Sequence, residues 1–431
     1  MSSDRANQEA DAQPFDGIRV VEFGQFVAVP FAAQLLAEGG AEVIKIESLE
    51  GDPTRRLAQL APMESRIYLS RNRGKRSLPL HLRHERAPQI IDALLGRADV
   101  ALMNFRPGLA AQFGLDAETL RAKYPRLIVA SVTPFGRYGP DAGLAGMDIV
   151  VQARSGLMVA NGRQGDGRPL SGDPVSADYM AAMSLAFGIA SALFRRANTG
   201  QGAEVHASLM QAAMTLNNNQ MLRVESADGP VHDESRQELA DMRSRGATYS
   251  EQRMAQPSAR ARIMADIYFR TYTTSDGWLA VACGSTRLRA AFSLAIGLED
   301  EYTGDDPNHH AEHYEHLREA AEAIMQSRPT DEWEALLAEA GVPASRVLMP
   351  FEILDDPQAA ANDMLYDLDH PQIGPVRLLA PPVALDEHGF QQPQATKPFA
   401  SETRPILVEL GFVESEIDQF VESGVTRDSI E

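Results

Sequence analysis

Residues 18–47 read IRVVEFGQFVAVPFAAQLLAEGGAEVIKIE, and three segments inside them decide the expected fold. Residues 18–22 are β-rich, residues 31–37 are Ala/Leu-rich and favour helix, and Glu42–Glu47 is β-rich again. Gly39 and Gly40 punctuate the helix end, as a helix C-terminus requires. Strand, helix, strand in this order is a βαβ unit, so the strands are expected to lie parallel. Between the first strand and the helix stands GQFVAVP (residues 24–30) in place of Gly-x-Gly-x-x-Gly, which argues against dinucleotide binding.

The alternation continues outward. Ala87–Leu95 and Ala117–Lys123 read as helices, and residues 100–104 and 127–132 as strands, giving a doubly wound α/β domain. Residues 179–196 (YMAAMSLAFGIASALFRR) predict a helix whose near-continuous apolarity implies full burial, followed by a turn at Thr199-Gly200-Gln201-Gly202 and a strand over residues 204–207. The expected organisation is a frayed N-terminus over residues 1–14, a large Rossmann-like α/β domain over 15–223, a polar linker over 224–262, a smaller α/β domain over 263–345, and a return linker over 346–431 that completes the large domain. Within the smaller domain, Ser275-Asp276-Gly277 predicts a hairpin; towards the end of the sequence, residues 403–423 predict a closing helix pair.

Composition narrows the function. The 431 residues are 44% hydrophobic, ample for a core, and 40 basic against 60 acidic residues give a formal charge of −20. Such a balance disfavours nucleic acid, while a local cationic patch still permits a small anionic ligand. The single cysteine, Cys283, excludes a disulfide framework and fits a reducing compartment. No apolar run reaches the ~18 residues of a membrane span and the N-terminus lacks a signal-peptide core, so a soluble cytoplasmic protein is expected.

Asp178 stands at the start of the long apolar helix. On pattern alone it reads as an ordinary N-cap. The wider set of motifs changes that reading: GAEVIKIE (40–47), NRGKRS (72–77), NFRPG (104–108), Gly114-Leu115, Phe135-Gly136 with Gly139-Pro140, Asp356-Pro357 and Leu410-Gly411-Phe412. In this order they resemble the class III CoA-transferases, the CaiB–BaiF family, whose relatives include formyl-CoA transferase and 2-methylacyl-CoA racemase. The resemblance implies that Asp178 is the nucleophile, that coenzyme A is carried as substrate with no metal, and that a small carboxylic acid accepts it. It further implies that Lys75, Arg76 and Arg106 hold the CoA phosphates, with Asn104 and Phe105 near the adenine and Arg71 or Arg73 sharing the work. Two chains are expected to interlock, each threaded through a ring formed by its partner, as a homodimer or a heteromer.

The chemistry suits a carboxylate. CoA exchange must preserve thioester activation, which a mixed anhydride does, whereas a Ser or Cys acyl-enzyme invites loss by hydrolysis. The positive helix end is expected to keep Asp178 anionic. Asp148 is the second acid of interest, either as a turn or cap residue or as a like charge that tunes Asp178. Met147 stands where the family's racemases carry a His; a thioether exchanges no proton at C2, so isomerisation is the secondary reading, and a CoA-binding subunit of a heteromeric transferase the third. Val27 and Val29 replace the Gln and Gly of formyl-CoA transferases, and the shielding glycine run of those enzymes has no counterpart in residues 225–265. These departures argue for a more apolar pocket mouth and a larger acid, aromatic, branched or dicarboxylic. His309, His313 and His316 lie at helical spacing but read as a solvated face, and Cys283 as a buried thiol.

Overall fold

The computed structural model describes residues 13–172, 174–256, 267–299, 311–386, 389–391 and 394–430. Two compact units are present, one of Met1–Met221 with Gln358–Glu431 and the other of Leu222–Pro357.

The larger unit is built on six parallel strands: β1 (Arg19–Phe23), β2 (Glu42–Glu47), β3 (Arg76–Pro79), β4 (Val100–Met103), β5 (Ile128–Thr133) and β6 (Ala203–Ser208). Their spatial order, β6-β5-β4-β1-β2-β3, is that of a doubly wound sheet whose direction of winding reverses between β1 and β4. Because side chains alternate across a strand, Val20 and Val21 enter opposite cores. One face carries α1 (Ala28–Glu38), α6 (Ser176–Thr199) and α7 (Leu209–Leu216), packed on Val20, Val43, Leu102 and Ala130. The other carries α3 (Ala87–Leu95) and α4 (Ala117–Lys123), together with the C-terminal helices Thr403–Glu409 and Glu414–Glu422. The C-terminal segment therefore closes the second core through Ile406, Leu407, Ile417 and Phe420.

Three local features follow from residue chemistry. At the end of α1, Gly40 takes a φ of +97°, which lets the chain reverse directly into β2. Among the described residues β3 pairs only with β2, and it ends on Pro79, a residue tolerated at a sheet edge. Gly202 sits where an added Cβ would lie 2.2 Å from the Leu127 carbonyl oxygen, so only glycine lets the chain enter β6 beside β5.

The expectation of a fully buried helix at residues 179–196 is corrected. One stripe of α6, from Ala177 through Leu185 and Ile189 to Arg196, is buried, but Phe187 and Phe194 on the other side are 76% and 75% exposed. Alternation of Ala with larger residues gives apolarity all round, and periodicity alone did not distinguish the packed stripe from the bare one. By length and apolarity α6 also suffices to cross a membrane, contrary to the reading that no run does; its buried stripe belongs to the core of the larger unit.

In the smaller unit, Phe269–Thr273 and Trp278–Ala282 pair as an antiparallel hairpin, with Ala344–Arg346 added at the Trp278–Ala282 edge. Helices Thr286–Ile296, Ala311–Met325 and Thr330–Glu339 cover a core around Tyr272, Phe292 and Trp333. The stretch expected as a polar linker carries a 20-residue helix, Glu225–Ser244, with only Gly229 and Met242 buried.

Candidate functional site

Asp178 is the third residue of α6, whose N-cap, Val175, offers no side-chain acceptor to the first amides. A residue from another helix supplies it. Asp148, in the first turn of α5 (Asp148–Arg154) and buried, accepts from the Ala177 and Asp178 amides through Oδ2 at 2.9 and 3.1 Å. Its Oδ1 accepts from Gln152. Asp148 is thus both a cap and a like charge, the two roles that the sequence left open. Burial, reinforced by the Asp148 carboxylate and opposed by Arg71, pushes the Asp178 pKa up to about 7. The expected effect of the helix end, an Asp178 held firmly anionic, is outweighed; the group sits with both protonation states accessible near neutrality.

Arg71 reaches the same place from α2 (Arg66–Asn72). Its Nε donates to the Tyr179 hydroxyl at 3.2 Å, and its guanidinium lies 5.6 Å from the Tyr179 ring centre. Phe31 of α1 meets that ring edge-on at 4.9 Å.

A cavity of about 380 Å³ opens at the carboxyl ends of β1, β2 and β4, where the winding reverses and α/β sheets bind ligands. Phe23, Ser48, His81, Arg83 and Phe105 line it. Asn104 stitches the two sides of the reversal together, its Oδ1 accepting from the Gln25 amide at 3.0 Å and its Nδ2 donating to the Gln25 carbonyl at 2.8 Å. Phe105 packs between Phe23 and Phe113, and Arg106 beyond it is exposed. His81 and Arg83 escaped the sequence reading because β3, four residues ending in proline, gave no strand signal. Arg83 is exposed and lies 5.4 Å from the Phe113 ring centre.

Lys75 and Arg76 do not stand where the resemblance put them. The buried Lys75 ammonium donates to Glu22 Oε2 at 2.7 Å, the Pro30 carbonyl at 2.7 Å and Asn72 Oδ1 at 3.0 Å, with nothing left for a phosphate. Burial, with Glu22 opposing, brings its pKa down to about 8. Arg76 spends its guanidinium on Glu42, Glu402 and Glu409. Arg73 is likewise buried, against Glu38 and the Leu379 carbonyl. Lys45 completes the interior network, bridging Glu22, Asp52 and the Gly24 carbonyl. Lys45 of β2 and Lys75, just before β3, hold the two ends of the loop after β1, at the Gly24 and Pro30 carbonyls.

The pocket-mouth reading is corrected too: Val29 is fully buried and Val27 nearly so, with Val29 filling the space a Cβ on Gly24 would need. Met147 is exposed beside Asp148. Cys283 is buried in the smaller unit's core, where burial pushes its thiol up to about 11. His309 and the side chain of His313 lie outside the described residues.

Comparison with known proteins agrees with this geometry. Residues 15–402 match CoA-transferase family III. The chain is 31% identical over 424 residues to the cinnamoyl-CoA:phenyllactate CoA-transferase of Clostridium sporogenes, covering 95% of this chain and 97% of that one. It is 25% identical over 430 residues to the succinyl-CoA:glutarate CoA-transferase of Mus musculus, covering 98% and 92%. The crystal structure of a CAIB/BAIF family protein from Brucella suis superposes with a TM-score of 0.72 at 27% identity, covering 93% of this chain and all of that one. A doubly wound sheet, a carboxylate at the head of α6 and a family match along most of its length converge: this chain belongs to CoA-transferase family III, and is a transferase.

Proposed function

We propose that the protein moves CoA from an acyl-CoA donor to a carboxylic acid through covalent intermediates on Asp178. The observation that carries the reading is the Asp178 carboxylate, desolvated at the head of α6 and poised near neutrality by Asp148. Asp178 attacks the thioester carbonyl and expels CoA thiolate, leaving a mixed anhydride. The thiolate attacks the aspartyl carbonyl, the donor acid departs, and an aspartyl-CoA thioester remains. The acceptor carboxylate displaces the thiolate to form a second anhydride. Thiolate attack on the acceptor's acyl carbonyl then releases the new acyl-CoA and restores Asp178. Every step exchanges one activated acyl bond for another, so no external energy source enters.

The CoA nucleotide is assigned to the cavity at the winding reversal, with Phe105 against the base, Asn104 fixing the loop, and Arg83 and Arg106 meeting phosphates, a role these exposed cations suit and the buried Lys75 does not. Isomerisation at C2 has no observation in its favour, since Met147 brings no exchangeable proton beside Asp148. The bare Phe187 and Phe194 face of α6 supports an intertwined homodimer, and Phe187→Glu is expected to shift the sedimenting species towards monomer. The lone, buried cysteine supports a cytoplasmic location, which cell fractionation checks. The direct test of the chemistry is to mix protein with acyl-CoA, trap with hydroxylamine and map the product by mass spectrometry. A hydroxamate at Asp178, absent from Asp178→Asn, is expected; undiminished turnover by that variant would refute the assignment.

A further inference from the structure

Between residues 71 and 76 four cations are clustered, and three are neutralised internally: Arg73 by Glu38, Lys75 by Glu22, and Arg76 by Glu402 and Glu409. Arg71 differs. It forms no ion pair among the described residues, and its one hydrogen bond, Nε to the Tyr179 hydroxyl, leaves both terminal nitrogens uncommitted. The side chain is partly buried, and the Asp178 carboxylate acts on it only electrostatically, without an ion-pair contact. It is also held in place: Tyr179 fixes the guanidinium, and Phe31 fixes the Tyr179 ring. Tyr179 follows Asp178 directly in the chain, so the anchored fork is displayed beside the nucleophile. The transfer steps on Asp178 call on no cation, and Arg71 bears on them only by pulling the Asp178 pKa down.

A guanidinium with two free NH₂ groups matches a carboxylate in bidentate fashion. When the reacting carboxyl of a bound acid meets Asp178, an anionic group at the other end of a short acyl chain can meet Arg71. We propose that Arg71, oriented by Tyr179, binds a second carboxylate on the substrate acid, so that the enzyme selects dicarboxylic acids. The inference rests on Asp178 as the reacting group. A CoA phosphate is the other anion of suitable chemistry; the exposed cations Arg83, on the cavity wall, and Arg106, next to Phe105, are the ones proposed for that role.

The test uses the full chain with succinyl-CoA as donor and two five-carbon acceptors, glutarate and valerate, which differ by one carboxylate. Wild type is expected to favour glutarate in kcat/KM by about 100-fold, and Arg71→Gln to reduce that ratio to below about 5-fold through the KM for glutarate. Arg71→Lys should restore part of the ratio, and Tyr179→Phe, which keeps the ring and removes the anchor, should lower it several-fold. Because the ratio is taken within each variant, a lower folded fraction does not alter it. Glutarate and valerate binding are measured in parallel by calorimetry, independent of turnover. Equal binding of the two acids to wild type, or a KM change confined to the CoA ester in Arg71→Gln, would overturn the proposal. Absence of any transfer, with Arg71-dependent glutarate binding retained, would instead sink the transferase reading and leave the diacid site standing.

Discussion

Asp148→Asn isolates one charge at the site while keeping its shape. Asp148 Oδ2 lies 3.1 Å from the Asp178 amide nitrogen, so the two carboxylates are near neighbours. Two unit charges ~6 Å apart at an effective dielectric of ~20 repel by about 3 kcal/mol, roughly two pKa units. Burial is the larger cause of the raised Asp178 pKa and survives the substitution; Arg71 pulls in the other direction. The expected result is therefore a fall of about one to two units from about 7, to a value still above that of a free aspartate. An asparagine carbonyl can still accept from the Ala177 and Asp178 amides, so the loss of helix capping stays within about 1 kcal/mol. The assay is the pH dependence of kcat/KM for acyl-CoA, whose acidic limb reports the free enzyme's nucleophile. That limb should move to lower pH in Asp148→Asn. A limb that stays at pH 7 would show that Asp148 acts only as a cap; one that moves upward would refute the like-charge argument outright.

Three further outcomes are expected. Asp178 holds a proton in the folded state that the unfolded chain has released between about pH 4 and pH 7, so its contribution to stability falls as pH rises through that window. Asp178→Asn, although inactive, should accordingly be more stable than wild type at pH 8, by up to about 4 kcal/mol, and indistinguishable at pH 4, as read by urea unfolding at both values. Glu22→Gln removes the carboxylate shared by Lys45 and Lys75, both fully enclosed, and should lower stability by about 3–5 kcal/mol in the same measurement; a loss under about 1 kcal/mol would mean the network is dispensable. Gly202→Ala forces a methyl group onto the Leu127 carbonyl and should cost about 1–3 kcal/mol, whereas an unchanged melting temperature would contradict the close approach of β6 to β5.

What the sequence made legible follows from the range of the forces involved. β1, α1 and β2 were readable because alternation, helix propensity and Gly39-Gly40 are local signals. β3 was not, because four residues ending in Pro79 carry too little pattern, and with it went His81 and Arg83 on the cavity. Asp178 was found from its helix and its motif, but the acceptor of its amide proton, Asp148, lies thirty residues away and reads locally as a turn residue. Lys75 and Arg76 were misplaced for the same reason. Glu22, Glu402 and Glu409 neutralise them across 53, 326 and 333 residues, and a basic cluster looks solvated until such partners are known.

That internal neutralisation explains how a doubly wound sheet can serve a CoA ester without a glycine-rich phosphate loop. In such folds the phosphate ordinarily sits on the first helix, against free amides. Here the start of α1 is closed: Val29 packs onto Gly24, the Phe31 amide donates to the Val27 carbonyl at 2.8 Å, and Lys75 is tied to the Pro30 carbonyl. Lys45 holds Gly24 from beneath, so the loop has no freedom to open around an anion. Only Gln25 and Phe26 project from it, and Phe26 does so at a φ of +66°, a conformation that side chains rarely adopt and that the surrounding ties enforce. That leaves the side chains beyond β3 and β4, where Arg83 and Arg106 are exposed, for the phosphate-binding role proposed for them. The first helix is left free to brace Tyr179 through Phe31, and with it the ground on which Asp178 and Arg71 stand.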